Sequence, residues 1–415
     1  MTPRRETRFL LIALALLVLL PFATQLLGGR LWLLSLSVAS YCLLYMINAQ
    51  ALNVQVGMTG LLNLGPIAFV GLGAYTGALL LTAGDNALVG FYAGILPDLS
   101  GHARWLLFFL DPNFLAYLTV IPVAVVLSVL LSLLLGIPTL KLTGDYFAIV
   151  TLGFAQIFYL VVKNEAWLTK GSFGVKDVPP LFSFAAGEDK IDFVAHTGHY
   201  FFAVAILAFC LYVVIRLRDS YLGRGLLAVR DNELAAQSNG VNVTKYRILS
   251  FVVFSALAAL GGIALLARNK FVSPSDLNFM ESILFLCCVV LGGMGSIRGV
   301  LVGGIALGAL GEVMRLVLPK VSAVLVDLQI WAYEFFGLAS WFASLGWQFK
   351  PYELPAQVRY VLFGVILILV MRYRPNGLLP VADEEHARGL EGKGDHRDAE
   401  PSFFTLGDKA QGGEA

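Results

Sequence analysis

The chain has 415 residues, 58% of them hydrophobic and 14% charged, with a formal net charge of +1. A water-soluble domain carries roughly a quarter charged residues, so with a mean hydropathy of +0.77 most of this surface cannot face water. The charge balance is near neutral overall, no nucleic-acid partner is expected, and the distribution of charge along the chain is the informative quantity.

Arg4, Arg5 and Arg8 precede an apolar run that continues to Leu27. That resembles a signal peptide, but no small-x-small cleavage site follows, so residues 1–30 read as a retained N-terminal helix. Between Arg30 and Asp85 there is no charged residue. A helix needs about 20 apolar residues to cross the hydrocarbon core, so this stretch holds two crossings. Apolar runs bounded by charges and Gly/Pro clusters predict spans at 9–27, 31–50, 57–81, 117–136, 146–162, 200–215, 248–267, 282–294, 299–318 and 358–371. The reading is an all-α polytopic membrane protein of about ten transmembrane helices, with the transmembrane domain over residues 31–378. A further apolar stretch at 321–349 contains Asp327 and Glu334 and is either interfacial, re-entrant or an additional span. Orientation follows from Lys and Arg in short loops. The loop 216–247 holds Arg216, Arg218, Arg224, Arg230, Lys245 and Arg247, whereas 85–111 sets Asp85, Asp98 and Asp111 against Arg104. Both termini are therefore expected in the cytoplasm, and the mixed-charge segment 379–415 reads as a disordered cytoplasmic tail.

Two glycine-interrupted segments occupy opposite, pseudo-related halves of the chain, at 57–66 and 291–299. Broken helices in corresponding positions point to a transport pathway, because unwound backbone at depth must line a cavity or be held by protein. Gly57, Gly60, Asn63, Gly65, Gly292, Gly293 and Gly295 are the candidate path residues. The spacings Gly73–Gly77, Gly299–Gly303 and Gly304–Gly308 are those that let helices approach closely in lipid. Ionisable residues are scarce inside the spans. Glu312 and Arg315 sit one turn apart and are expected to pair, while Asn48, Gln50, Asn53, Gln55, Asn63 and Gln156 are neutral. This weighs against an ion-coupled secondary transporter. Gly389 to Lys393 fails the phosphate-loop pattern, so no energy source is encoded. Cys42, Cys210, Cys287 and Cys288 lie in apolar segments without metal-site spacing and read as packing residues, and no metal is expected.

The loop 216–247 contains Gly223-Arg224-Gly225, then Ala228-Val229-Arg230-Asp231-Asn232-Glu233, then Gly240-Val241-Asn242. Asp231 is predicted to cap a short helix over 232–239 that Gly240 stops, leaving a face suited to docking in a groove. These residues resemble the M-type permease subunit of branched-chain amino acid importers of the ATP-binding-cassette class. The family's loop pattern is similar to residues 223–242, its early glycine motif to 60–75, its Gly-Gly-Met-Gly-Ser to 292–296 and its closing Arg-Pro-x-Gly-Leu to 374–378. Where the family often has Gly-Gly or Arg-Gly followed by Ser/Thr/Ala-x-Gly, this chain reads Thr169-Lys170-Gly171-Ser172-Phe173-Gly174, a departure from the pattern in the segment that holds Gly171, Ser172 and Gly174, the candidate external gate.

The resemblance implies a multi-pass protein of a bacterial inner membrane. It would pair with a second homologous permease, two cytoplasmic ATPases and an extracytoplasmic binding protein. ATP and Mg would bind in the partner subunits, and this chain itself would be no enzyme and hold no cofactor. Arg230, Asp231, Glu233 and Gly240 would form the coupling element to the ATPase, with Arg230 and Glu233 sharing an outward face. The implied cargo is leucine, isoleucine and valine, with urea or short amides as the alternative within the family.

Overall fold

The computed structural model describes residues 10, 12–21, 29–84, 86–95, 111–139, 145–182, 192–335 and scattered positions from 361 to 379. Among them the regular elements are helical, and the lone β-bridge joins Val175 to Val272. The helices are α1 (Ile12–Pro21), α2 (Gly29–Thr59), α3 (Pro66–Thr82), α4 (Ala87–Ile95), α5 (Pro112–Thr139) and α6 (Asp145–Asn164). They continue as α7 (Asp192–Asp219), α8 (Tyr221–Asp231), α9 (Glu233–Ser238), α10 (Val243–Asn269), α11 (Phe279–Gly292) and α12 (Ile297–Phe335). Short turns at Ala166–Thr169, Gly171–Phe173 and Pro274–Leu277 join the longer elements. Five described helices are long and apolar enough to cross a membrane, or up to six if the bent pair α3 and α4 forms one span. The architecture is that of an all-α, polytopic membrane protein. α2 carries four buried amides, Asn48, Gln50, Asn53 and Gln55. Both termini, most of the 358–371 span and the tail beyond Leu379 lie outside the described residues.

Three boundaries differ from the sequence expectation. α2 runs on to Thr59, placing Gly57 inside a helix and narrowing the first break to residues 60–65. The ladder continues through Gly57 and closes with Gly60 N–H donating to the Val56 carbonyl at 3.1 Å, where Gly60 turns to φ +71°. α12 passes through Pro319 to Phe335, so the first part of the 321–349 stretch is its continuation. In lipid an unbroken helix is the simplest way to satisfy backbone groups. α11 ends at Gly292, two residues before the predicted limit at 294.

α2 is the hub, buried almost continuously from Cys42 to Thr59. α12 packs antiparallel on one face of it: a Cβ on Gly304 would lie 2.9 Å from the Met46 Cα, and one on Gly308 would lie 2.8 Å from the Cys42 Cα. α10 packs on another face, with Gly261 against Asn48 and Thr59 near Ser250. α3 runs parallel to α10, Gly73 meeting Ala259 and Gly77 meeting Leu266. Gly73, Gly299, Gly303, Gly304 and Gly308 each meet backbone of a neighbouring helix or segment, and Gly77 takes the Leu266 side chain, the close approach that packing in lipid favours. Phe69, Phe251 and Phe254 lock the α3–α10 seam with ring centroids 5.4 and 5.5 Å from Phe69. Leu118, Val126, Leu130, Leu134 and Ile137 of α5 remain exposed, an apolar face toward lipid.

Candidate functional site

α8 and α9 sit at the end of the bundle where α2 stops and α10 and α12 begin. Three asparagine or serine caps build this region. Ser220 Oγ accepts from Gly223 N–H at 3.2 Å to start α8, and Asn242 Oδ1 accepts from Lys245 N–H at 3.1 Å to start α10. Between them, Asn232 Oδ1 accepts from Ala235 N–H at 3.0 Å. The cap of α9 is therefore Asn232 and not Asp231, which closes α8 instead. Gly240, at φ +81°, ends α9, with its N–H donating to the Gln237 carbonyl at 2.9 Å. Val229, Ala236 and Val243 form a small apolar core that joins the three helices.

The two charged residues expected to share an outward face both turn into the chain. Arg230 Nη1 donates to the Gly57 carbonyl at 2.8 Å, near the C-terminal end of α2. Glu233 forms an ion pair with Arg247 of α10, whose side chain is 7% exposed. What α9 presents outward is Leu234, 75% exposed. Sequence reading passed over this residue, though an apolar side chain among polar neighbours on a short loop helix was the available signal.

The two helix breaks meet around Arg230. Asn53 Oδ1 accepts from Gly295 N–H at 2.9 Å, and Gln50 Nε2 donates to the Ile297 carbonyl at 2.6 Å. The unwound segment between α11 and α12 is thereby held by amide side chains of α2. A Cβ on Gly57 would lie 2.5 Å from the Gly295 nitrogen, and one on Gly295 only 2.7 Å from Arg230 Nη1. Gly60 lies beside the Arg230 stem, where a Cβ would stand 3.5 Å from Cγ. The first break is held in the same way. Asn63 Nδ2 donates to Gln55 Oε1 at 2.8 Å, Asn63 Oδ1 accepts from Gly65 N–H at 2.7 Å, and Leu64 N–H donates to Thr151 Oγ1 at 3.1 Å.

Gly292 and Gly293 lie on the far side of the second break. Leu378 N–H donates to the Leu291 carbonyl at 2.8 Å and Leu379 N–H to the Gly292 carbonyl at 3.2 Å. The closing Gly377-Leu378-Leu379 segment therefore caps α11, satisfying carbonyls that a helix end leaves open. Of the seven glycine and asparagine positions, Gly57, Gly60 and Gly295 gather at Arg230, while Asn63 and Gly65 contact Gln55 and Thr151. Gly171, Ser172 and Gly174 lie at the opposite end of the bundle. There Gly174, at φ +69°, abuts Val272 and Ser273, and Val175 N–H donates to the Val272 carbonyl at 2.9 Å.

Residues 34–371 match the family described as branched-chain amino acid transport system, permease component. The chain is 30% identical over 397 residues to the high-affinity branched-chain amino acid transport system permease protein LivM of Salmonella typhimurium, covering 91% of this chain and 76% of that protein. It is 27% identical over 349 residues to a probable LivM of Methanocaldococcus jannaschii, covering 81% of this chain and 90% of that one. A shorter match, 30% identical over 153 residues, links it to the LivH permease of Salmonella typhimurium, covering 36% of this chain and 49% of LivH. No solved structure matches the chain. With four-fifths of its length matched by one family, and a relative 30% identical matched over 76% of its own length, the chain belongs to the branched-chain amino acid transport system permease family.

Proposed function

We propose that the chain is the M-type permease subunit of an ATP-driven importer in a bacterial cytoplasmic membrane, with leucine, isoleucine and valine as cargo. It pairs with a second, homologous permease and receives cargo from an extracytoplasmic binding protein. Two cytoplasmic ATPases bind ATP and Mg and drive the cycle, so this chain performs no catalysis of its own. The observation that carries the reading is the double anchorage of the α8–α9 element. Arg230 ties it to α2 and the second helix break, Glu233 ties it to α10, and Leu234 stands outward. A push on α9 from a partner is thereby passed to two membrane helices rather than lost in a loose loop. Arg230, Asp231, Glu233 and Gly240 act in coupling by positioning α9, and Leu234 is the docking anchor.

Truncating a docking anchor costs about 2–4 kcal/mol, roughly 30- to 1,000-fold in affinity. Leu234→Ala should therefore leave the permease inserted but remove the stimulation of ATP hydrolysis by loaded binding protein in the reconstituted complex. Full stimulation in that variant would take α9 out of the coupling path. The orientation has its own check. A cysteine replacing Asn239, in the α9–α10 loop, should resist a membrane-impermeant thiol reagent applied to intact cells, whereas one replacing Asn86 should react. The reverse pattern would invert the topology and place α9 away from the ATPases.

A further inference from the structure

At the end of the bundle away from α8 and α9, a cavity of about 360 Å³ lies between α2, α3, α10, α11, α12 and the Pro274–Leu277 turn. Small-ligand sites run from about 300 to 1,000 Å³, so this one suits a small guest. Its apolar wall is Leu44, Ile67, Val70, Leu265, Leu284 and Phe285. Asp276, Glu281, Glu312 and Arg315, the last with its side chain 61% exposed, also line it. These charges are organised by the fold. Tyr45 Oη donates to Glu281 Oε2 at 2.9 Å, Asp276 Oδ2 accepts from Ser273 N–H at 2.9 Å, and Arg315 Nη1 lies 3.6 Å from Glu312 Oε1. The Glu312 side chain is only 11% exposed. Asn48, 3% exposed, also lines the space, and its Oδ1 has no hydrogen-bond partner. Ser275 and Asp276 form part of the rim, and the adjoining Ser273 abuts Gly174 of the candidate external gate.

We propose that this cavity binds an aliphatic α-amino acid as its zwitterion. The ammonium group faces the carboxylates, the carboxylate faces Arg315, and the hydrocarbon side chain lies on the apolar wall. A bare cation has no use for the apolar wall, and a neutral polar guest such as urea has none for charges of both signs. The inference rests on the amino-acid reading above and adds to it a site within this subunit. α2 connects that site to the helix breaks, because Asn48 lines the cavity while Gln50 and Asn53 further along hold Ile297 and Gly295.

The test uses the complete transporter in proteoliposomes, without binding protein, carrying Ser275→Cys. Ser275 is exposed, whereas Cys42, Cys210 and Cys288 are buried, and Cys287→Ser removes the half-buried thiol. Saturating leucine should slow modification of the introduced thiol by about tenfold or more, as occupancy of one site requires. 4-Methylpentanoate and 3-methylbutylamine, each holding one half of the charge pair, should protect far less. Glu312→Gln in the same background should abolish protection without lowering the yield of detergent-extracted complex, whereas Gly153→Ala, where a Cβ meets nothing within 4 Å, should keep it. Absence of leucine protection, or equal protection by the amine alone, overturns the proposal. If protection is absent while the complex still imports leucine, only the cavity assignment falls. If the wild-type complex imports no branched-chain amino acid, the proposed function itself falls.

Discussion

Gly57→Val should prevent assembly of the permease. The new Cβ would lie 2.5 Å from the Gly295 nitrogen and 2.9 Å from its Cα, both backbone atoms that cannot swing aside as a side chain does. Relief requires moving the α11–α12 break away from α2. That separates Asn53 from Gly295 N–H and Arg230 from the Gly57 carbonyl. Overpacking alone costs about 1–3 kcal/mol, and a lost hydrogen bond to a charged group about 1.5–3 kcal/mol more. The expected result is a large fall in the yield of detergent-extracted complex and in its thermal unfolding midpoint. Gly153→Ala is the comparison, since a Cβ there meets nothing within 4 Å. Alanine also suits a helix interior better than glycine. Equal yields of the two variants would show that the contact between the two breaks is not a structural requirement.

Glu233→Ala should detach α9 from α10. It leaves Arg247, whose side chain is 7% exposed, without its carboxylate. Removing one partner of a buried pair costs about 3–5 kcal/mol. The Glu233 side chain is 40% exposed, however, so water screens part of the interaction and about 1–3 kcal/mol is the reasonable expectation. Leucine uptake and stimulated ATP hydrolysis should both fall. The double variant Glu233→Ala with Arg247→Met replaces the buried guanidinium as well and should recover assembly, but not the stimulation that depends on a fixed α9. A double-mutant cycle on unfolding midpoints isolates the pair. Additive effects would mean that the two residues do not act together, and α9 would then be held by its Val229–Ala236–Val243 core alone.

The positions of these two pairs explain how legible the site was. Glu312 and Arg315 are three residues apart on a helix, so their pairing could be read from spacing alone, and they lie 3.6 Å apart. Glu233 and Arg247 lie in different helices, and Arg230 reaches a carbonyl 173 residues earlier. Local periodicity carries no information about such partners, so an outward face for Arg230 and Glu233 was the natural expectation. The α9 cap failed for a different reason. Asp and Asn cap about equally well, so the adjacent Asp231 and Asn232 could not be ranked until the backbone showed which one precedes the helix. The two glycine breaks were visible as composition, but their contact around Arg230 was not.

What the amino-acid sequence determined by itself was the solvent and the local grammar. Its apolar runs demand lipid, its glycine spacings demand close helix seams, and Gly240 marks where the short loop helix stops. Tertiary structure alone decided that buried amides of α2 clamp the distant break between α11 and α12. It also decided that the cavity draws its walls from five helices. The reason is physical. Hydrophobicity and helix propensity act over one or two turns, whereas an amide buried in lipid must find a backbone partner wherever packing delivers one. Gln50 and Asn53 found theirs at Ile297 and Gly295, because the glycine seam of α12 brings that break against α2.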